Sequence, residues 1–174
     1  MSEQIDVLLS EEEVNKRIGE LAEQINRDYE GKELHIVCIL KGAVFFMCEL
    51  AKRITLPVTL DFMSVSSYGD DTESSGYVQI LKDVDTSLEG KNVLVVEDII
   101  DTGRTLHSLL EILGSRNPAS LRLCTLLDKP DRRVVEDVKV DYCCFTIPDE
   151  FVVGYGLDYS QRYRNLPFIG AVRL

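Results

Sequence analysis

Positive charge is scarce in this chain. Its 174 residues carry 19 Lys plus Arg against 30 Asp plus Glu, a formal charge of −11. A nucleic-acid binder needs a basic surplus on at least one face to neutralise phosphates, so the charge argues against that class. Long apolar runs are missing too. The longest, 36–40 and 43–48, fall well short of the roughly 18 residues that a membrane span requires. The acidic start Ser2-Glu3-Gln4-Ile5-Asp6 has neither the basic residues nor the apolar stretch of a secretory signal. A soluble, cytoplasmic protein with no membrane partner is expected. The five cysteines, Cys38, Cys48, Cys124, Cys143 and Cys144, sit in apolar runs without Cys-x-x-Cys spacing, which predicts buried, reduced thiols. The two histidines, His35 and His107, share no ligand spacing, and neither is assigned a catalytic role. A Gly-x-x-x-x-Gly-Lys-Ser/Thr loop is absent, which excludes P-loop binding of a nucleoside triphosphate.

What is present suits an ordinary globular domain. With 45% hydrophobic and 28% charged residues, a chain of this length buries a core without staples. No repeat, linker or low-complexity tract divides residues 1–174, so a single domain is expected. Ser10-Glu11-Glu12-Glu13 has the capping-box pattern, and Val14, Ile18, Leu21 and Ile25 follow at helical spacing up to a stop at Gly31. Strands are predicted over 34–40, 57–65, 77–81, 92–96, 121–127 and 142–147. Helical stretches are predicted over 43–54 and around Leu106, Leu109, Leu110 and Leu113. Strands alternating with helices imply an α/β protein, a parallel sheet joined by right-handed crossovers and flanked by helices. The aliphatic run 92–96 reads as a central strand. The exception is 66–76, eleven polar residues between two strands. That is long for a hairpin and predicts a lid or mobile segment.

Chemistry concentrates after Val96, where a parallel strand ends and ligands of such sheets bind. Thr102-Gly103-Arg104-Thr105 sets hydroxyls and a glycine at a helix start, a cradle for a single phosphate. Glu97, Asp98 and Asp101 stand beside it. Adjacent acids at a strand end can accept hydrogen bonds from vicinal sugar hydroxyls, directly or through hydrated Mg²⁺. The combination points to a sugar phosphate.

The run from Val93 through Glu97-Asp98-Ile99-Ile100-Asp101-Thr102-Gly103-Arg104-Thr105 to Leu106 resembles the phosphoribosyl-diphosphate signature of type I phosphoribosyltransferases. Leu40-Lys41-Gly42, Ser67-Tyr68, Leu127-Asp128-Lys129 and residues 147–166 follow the order of that family's bacterial hypoxanthine-guanine branch, so the resemblance spans roughly 36–170. It implies the type I fold: a central, mainly parallel twisted sheet flanked by helices, with a small hood and a flexible active-site loop. It also implies Mg²⁺-dependent transfer of ribose 5-phosphate from phosphoribosyl diphosphate to N9 of hypoxanthine or guanine. By the same resemblance, Glu97 and Asp98 hold the ribose hydroxyls and metal. Asp101, Thr102, Gly103, Arg104 and Thr105 form the 5′-phosphate loop, and Asp101 also exchanges a proton with purine N7. Lys41 and Gly42, after a non-proline cis bond, and Arg164 bind pyrophosphate. Lys129 contacts the purine O6, Phe151 stacks on the base, and the Val152 backbone meets the purine edge. Asp158 lies near the base, the pyrophosphate and a second Mg²⁺, and Ser67 and Tyr68 belong to the mobile loop.

The resemblance further implies a homodimer or homotetramer whose partners are small molecules: a 6-oxopurine, the donor and pyrophosphate. Two alternatives stay open. One is a transferase favouring xanthine or guanine alone. The other is a regulator that senses the donor and binds RNA or DNA, which needs a basic face or an added helix-turn-helix, neither evident at −11. Seven acids (Asp70, Asp71, Glu73, Glu97, Asp98, Asp101, Asp158) face four cations (Lys41, Arg104, Lys129, Arg164) in the expected site and lid. A polyanionic donor is therefore expected to arrive with metal.

Overall fold

Strand alternation on two buried faces sets the architecture. The computed structural model describes residues 3–67 and 77–173. In chain order the elements are β1 (Gln4–Leu9), α1 (Glu11–Asp28), β2 (Leu34–Ile39), α2 (Val44–Ala51), β3 (Val58–Ser67), β4 (Val78–Lys82) and β5 (Asn92–Ile100). They continue with α3 (Arg104–Gly114), β6 (Ser120–Asp128), a 3₁₀ turn (Pro130–Arg132), β7 (Tyr142–Thr146), β8 (Val152–Val153) and β9 (Ile169–Arg173). All six residues of β2 are buried. Ile36 and Cys38 join the core beneath α1 and α2, while Val37 and Ile39 join the one beneath α3. In β5, Leu94 and Val96 divide in the same way from Val93 and Val95. Strands covered on both faces have no polar side to present, which is why these segments read as unbroken aliphatic runs.

The main sheet has the order β4-β3-β2-β5-β6-β7. Its strands run parallel except β4, which pairs antiparallel with β3 at the edge. Helix α1 starts as its sequence requires: Glu13 N–H donates to the Ser10 side chain at 3.2 Å. Val14, Ile18, Leu21, Ala22 and Ile25 form its buried stripe.

Four features differ from expectation. Helix α2 stops at Ala51, because Arg53 and Ile54 donate to carbonyls three residues back and tighten the end into a turn. Strand β5 runs on to Ile100, its Glu97 registering with Thr125 and its Ile99 with Leu127, so the acid pair is part of the ladder. The expected hood is a second, antiparallel sheet, β1-β9-β8, whose three strands no sequence pattern marked. All five cysteines are free, yet only Cys38, Cys124 and Cys144 are buried. Cys143 is half-buried and Cys48 is exposed, because α2 turns Phe46, Met47 and Leu50 inward instead. The lid segment lies outside the described residues from Tyr68 onward, and Ser67 is the last residue of β3. No helix among the described residues is long and apolar enough to cross a membrane.

Candidate active site

The carboxyl ends of β2, β5 and β6 converge with the segment after β7, and almost every residue singled out from sequence lies there. After β2 the chain makes the Leu40-Lys41 cis peptide. Gly42 then packs so closely that an added Cβ would lie 1.8 Å from Asp98 Oδ2. Gly156, at φ 101°, has the same constraint, since its Cβ would lie 2.0 Å from the Gly42 carbonyl. The end of β5, the 41–42 loop and the 154–156 turn are thus in direct contact: backbone bars a side chain at Gly156, and the Asp98 carboxylate crowds one at Gly42. Arg164 reinforces this junction. Its guanidinium donates to the Gly156 carbonyl at 2.7 Å and to Gln161 Oε1 at 3.0 Å, and pairs with Asp158 at 3.3 Å. Lys41 Nζ donates to the same Gln161 oxygen at 3.3 Å.

Glu97 and Asp98 retain some solvent access, yet they are densely surrounded. Burial, and then the neighbouring Asp98 charge, pushes the Glu97 carboxyl well above the usual range. Burial also raises Asp98, against the Glu97 hydrogen bond, the Ile99 amide at 2.6 Å and the charge of Arg164. Two adjacent acids short of positive charge are hard oxygen ligands suited to Mg²⁺. That ion keeps several waters and leans on one or two carboxylates plus substrate phosphates. Among the described residues no three of His, Cys, Asp and Glu converge on one point. Asp158, expected with Glu97 and Asp98 as a metal ligand, pairs with Arg164 and accepts from the Gln161 amide at 2.8 Å.

On the other side of β5 lies a pocket of about 230 Å³, lined among others by Glu97, Asp101, Thr102, Gly103 and Thr105. Gly103, at φ 84°, caps α3, and the Arg104 amide reaches Thr102 Oγ1 at 3.4 Å. The first amides of a helix lack intrahelical partners and lie at its positive end, so this is an anion cradle. Across from it, Lys129 is buried, with its amide on the Ile100 carbonyl and its ammonium 3.7 Å from Asp149. Phe151 is 49% exposed and meets Tyr159 edge to face, ring centres 5.6 Å apart. Val152 is buried in β8 opposite Ala171.

Sequence reasoning missed Arg132, Arg133, Asp149 and Gln161. Arg132 Nε donates to Asp101 Oδ1 at 3.0 Å, and its guanidinium lies 3.8 Å from Asp149. Arg133 holds the Asp101 carbonyl at 3.2 Å and also bonds the Asp128 carboxylate. The acid excess counted from sequence is therefore incomplete, since it left out these two arginines and their partners. Asp70, Asp71 and Glu73 of that count lie outside the described residues. The pair Arg132-Arg133, directly after the Lys129-Pro130-Asp131 turn, was the available signal.

The phosphoribosyl transferase domain family matches residues 4–160. This chain belongs to that family. Hypoxanthine-guanine phosphoribosyltransferase of Streptococcus thermophilus is 52% identical over 167 residues, covering 96% of this chain and 92% of that one. Hypoxanthine phosphoribosyltransferase of Salmonella typhimurium is 51% identical over 176 residues, covering 100% and 98%. A crystal structure of hypoxanthine-guanine phosphoribosyltransferase of Bacillus anthracis, with HEPES in its active site, matches with a TM-score of 0.94 at 49% identity over 99% of this chain and 100% of that one. The sheet and hood described above are accordingly those of a type I phosphoribosyltransferase.

Proposed function

We propose that this phosphoribosyltransferase moves ribose 5-phosphate from phosphoribosyl diphosphate to N9 of hypoxanthine or guanine, releasing the nucleoside monophosphate and pyrophosphate. The observation that carries the reading is the contact of Asp98 with Gly42, which joins the acid pair to the Lys41-Gly42 loop. In this reading the Thr102–Thr105 cradle takes the 5′-phosphate. Glu97 and Asp98 take the ribose hydroxyls, and Lys41, Gly42 and Arg164 take the pyrophosphate. Glu97 and Asp98 would hold a divalent cation, which would supply charge neutralisation for the departing pyrophosphate. Lys129 donates to the purine 6-oxo group and so disfavours a 6-amino purine, which offers a donor there. Phe151 supplies a ring face, and the Val152 backbone reads the purine edge. Asp101 accepts the N7 proton as N9 bonds to ribose C1′, which keeps the purine neutral. Asp158, beside Arg164, would face the pyrophosphate and a second Mg²⁺. The expected role of Ser67 and Tyr68, the latter outside the described residues, is to keep water from the reaction and so favour transfer over hydrolysis.

The chain acts as one domain, in the cytoplasm, as a homodimer or homotetramer; family membership supports these points. The test is conversion of hypoxanthine, guanine, xanthine and adenine by the purified protein with donor and Mg²⁺. Products are expected from hypoxanthine or guanine, loss of turnover with chelator, and none from adenine. Failure with both 6-oxopurines overturns the reading, and donor binding indifferent to chelator overturns its metal part.

A further inference from the structure

The Asp101 carboxylate is held from outside its own loop. Arg132 Nε donates to Oδ1 at 3.0 Å, and the segment carrying Arg132 is fastened to the 101–103 turn at several points. Val134 and Val135 amides donate to the Thr102 carbonyl at 2.9 and 3.2 Å. Arg133 Nε donates to the Asp101 carbonyl at 3.2 Å. A Cβ on Gly103 would lie 3.0 Å from Arg133 Cδ. Arg132 therefore reaches the carboxylate from a fixed base. Its guanidinium also faces Asp149 at 3.8 Å, and Asp149 faces the Lys129 ammonium at 3.7 Å. The result is an alternating row, Asp101, Arg132, Asp149, Lys129, along one side of the purine slot. The Arg132 and Asp101 side chains are 49% and 47% exposed, so their pairing contributes little to stability. What it fixes is direction: with Oδ1 occupied, Oδ2 is the oxygen left to take a proton.

We infer that Arg132 is a positioning residue for Asp101, and that Asp149 ties this arginine to Lys129, so that the proton acceptor and the purine-reading ammonium are held as one unit. The inference rests on the transferase reading above. A misplacement of about 1 Å costs on the order of a hundredfold in a positioned reaction, so a carboxylate free to rotate loses roughly tenfold or more.

Arg132→Ala and Arg132→Gln, assayed in single turnover with hypoxanthine, donor and Mg²⁺, are expected to slow the bond-forming step at least about tenfold. KM for the donor stays within twofold, and the melting temperature of the protein does not change. The solvent deuterium isotope effect on that step grows, because proton removal now limits it. Arg132→Lys restores part of the rate, and Asp149→Asn raises KM for the purine. Variants that match the wild type, or that raise donor KM while keeping the single-turnover rate, overturn the inference and leave the transferase reading standing. A wild-type protein that converts neither 6-oxopurine overturns both.

Discussion

Asp61, on the first half of β3, and Glu97, towards the end of β5, are carboxylates of the same sheet with opposite environments. Asp61 is 3% exposed. Burial alone would raise it, but amides of Asp85, Phe62 and Thr86 and the Thr86 hydroxyl all donate to it and hold it below the usual range. Glu97 is pushed the other way, by burial and by Asp98. An enclosed acid given enough donors is a satisfied joint, here tying the 85–86 segment to β3. An enclosed acid left short of donors and beside a second acid raises the free energy of the folded chain until something positive arrives. The difference separates a structural acid from a ligand-binding one, and substitutions on either side can be chosen to erase it.

The largest effect is expected at Gly42. In Gly42→Ala the new methyl must displace the Asp98 carboxylate, whose oxygen lies 1.8 Å from the Cβ position. That oxygen ends a side chain that can turn, so the fold tolerates the change. Turnover should fall by a hundredfold or more, the scale of a 1 Å misplacement, with a melting temperature within a few degrees of wild type. Near-normal turnover would show that Asp98 need not sit where it does. Next comes Asp61→Asn, which turns a four-donor acceptor into a group with donors of its own. Losing bonds to a buried charge costs about 2 to 3 kcal/mol, or roughly 5 to 10 °C at this chain length. Activity at 25 °C should survive. Glu97→Gln should do the reverse, raising the metal-free melting temperature by a few degrees, since about 1 kcal/mol shifts it 2 to 4 °C, while abolishing stabilisation by added Mg²⁺ and donor. A destabilised Glu97→Gln would end the contrast.

Much of this arrangement is legible in the amino-acid order alone. The signature over 93–106 is contiguous, so its acids, hydroxyls and glycine are neighbours in sequence as in space. Strands β2 and β5 are legible because both faces are buried. What stayed hidden has a common cause, pairing between distant segments. β1 joins β9 through Gln4 opposite Arg173 and Ile5 opposite Val172, the two ends of the chain, which no local pattern reports. Strand β5 outran its aliphatic run because ladder pairing with Thr125 and Leu127 carries the acids along. Arg132 reaches Asp101 across 31 positions, and nothing near Asp61 in sequence announces that the amides of Asp85 and Thr86 will come to it.

The smallest expected effect is a pH slope carried by His35. Its ring is buried, with Nδ1 2.6 Å from Thr59 Oγ1 and Nε2 3.5 Å from Asp61 Oδ2. Burial, and then the charge of Lys91, holds the imidazole below its ordinary value of 6.5, against the pull of Asp61. As pH falls through 6.5 the unfolded chain binds this proton before the folded one does, so stability falls with pH, by at most about 1.4 kcal/mol per unit. Asp61 adds nothing in that range: held below 3.8, its contribution is complete above that value and lost only as pH falls through the folded one. Glu97 acts oppositely. Its raised folded value means the folded chain binds the proton first, so its contribution to stability rises as pH falls toward 4.5. The two slopes offset each other in the wild type and separate in variants. Unfolding in urea between pH 7.5 and 5.5 should show a steeper acid-side loss in Glu97→Gln than in wild type. Adding His35→Asn, which keeps an acceptor or donor near the Nδ1 position without titrating, should flatten it. If the double variant keeps the full slope, His35 does not carry it, and the amino half of the sheet is as indifferent to pH as any satisfied core.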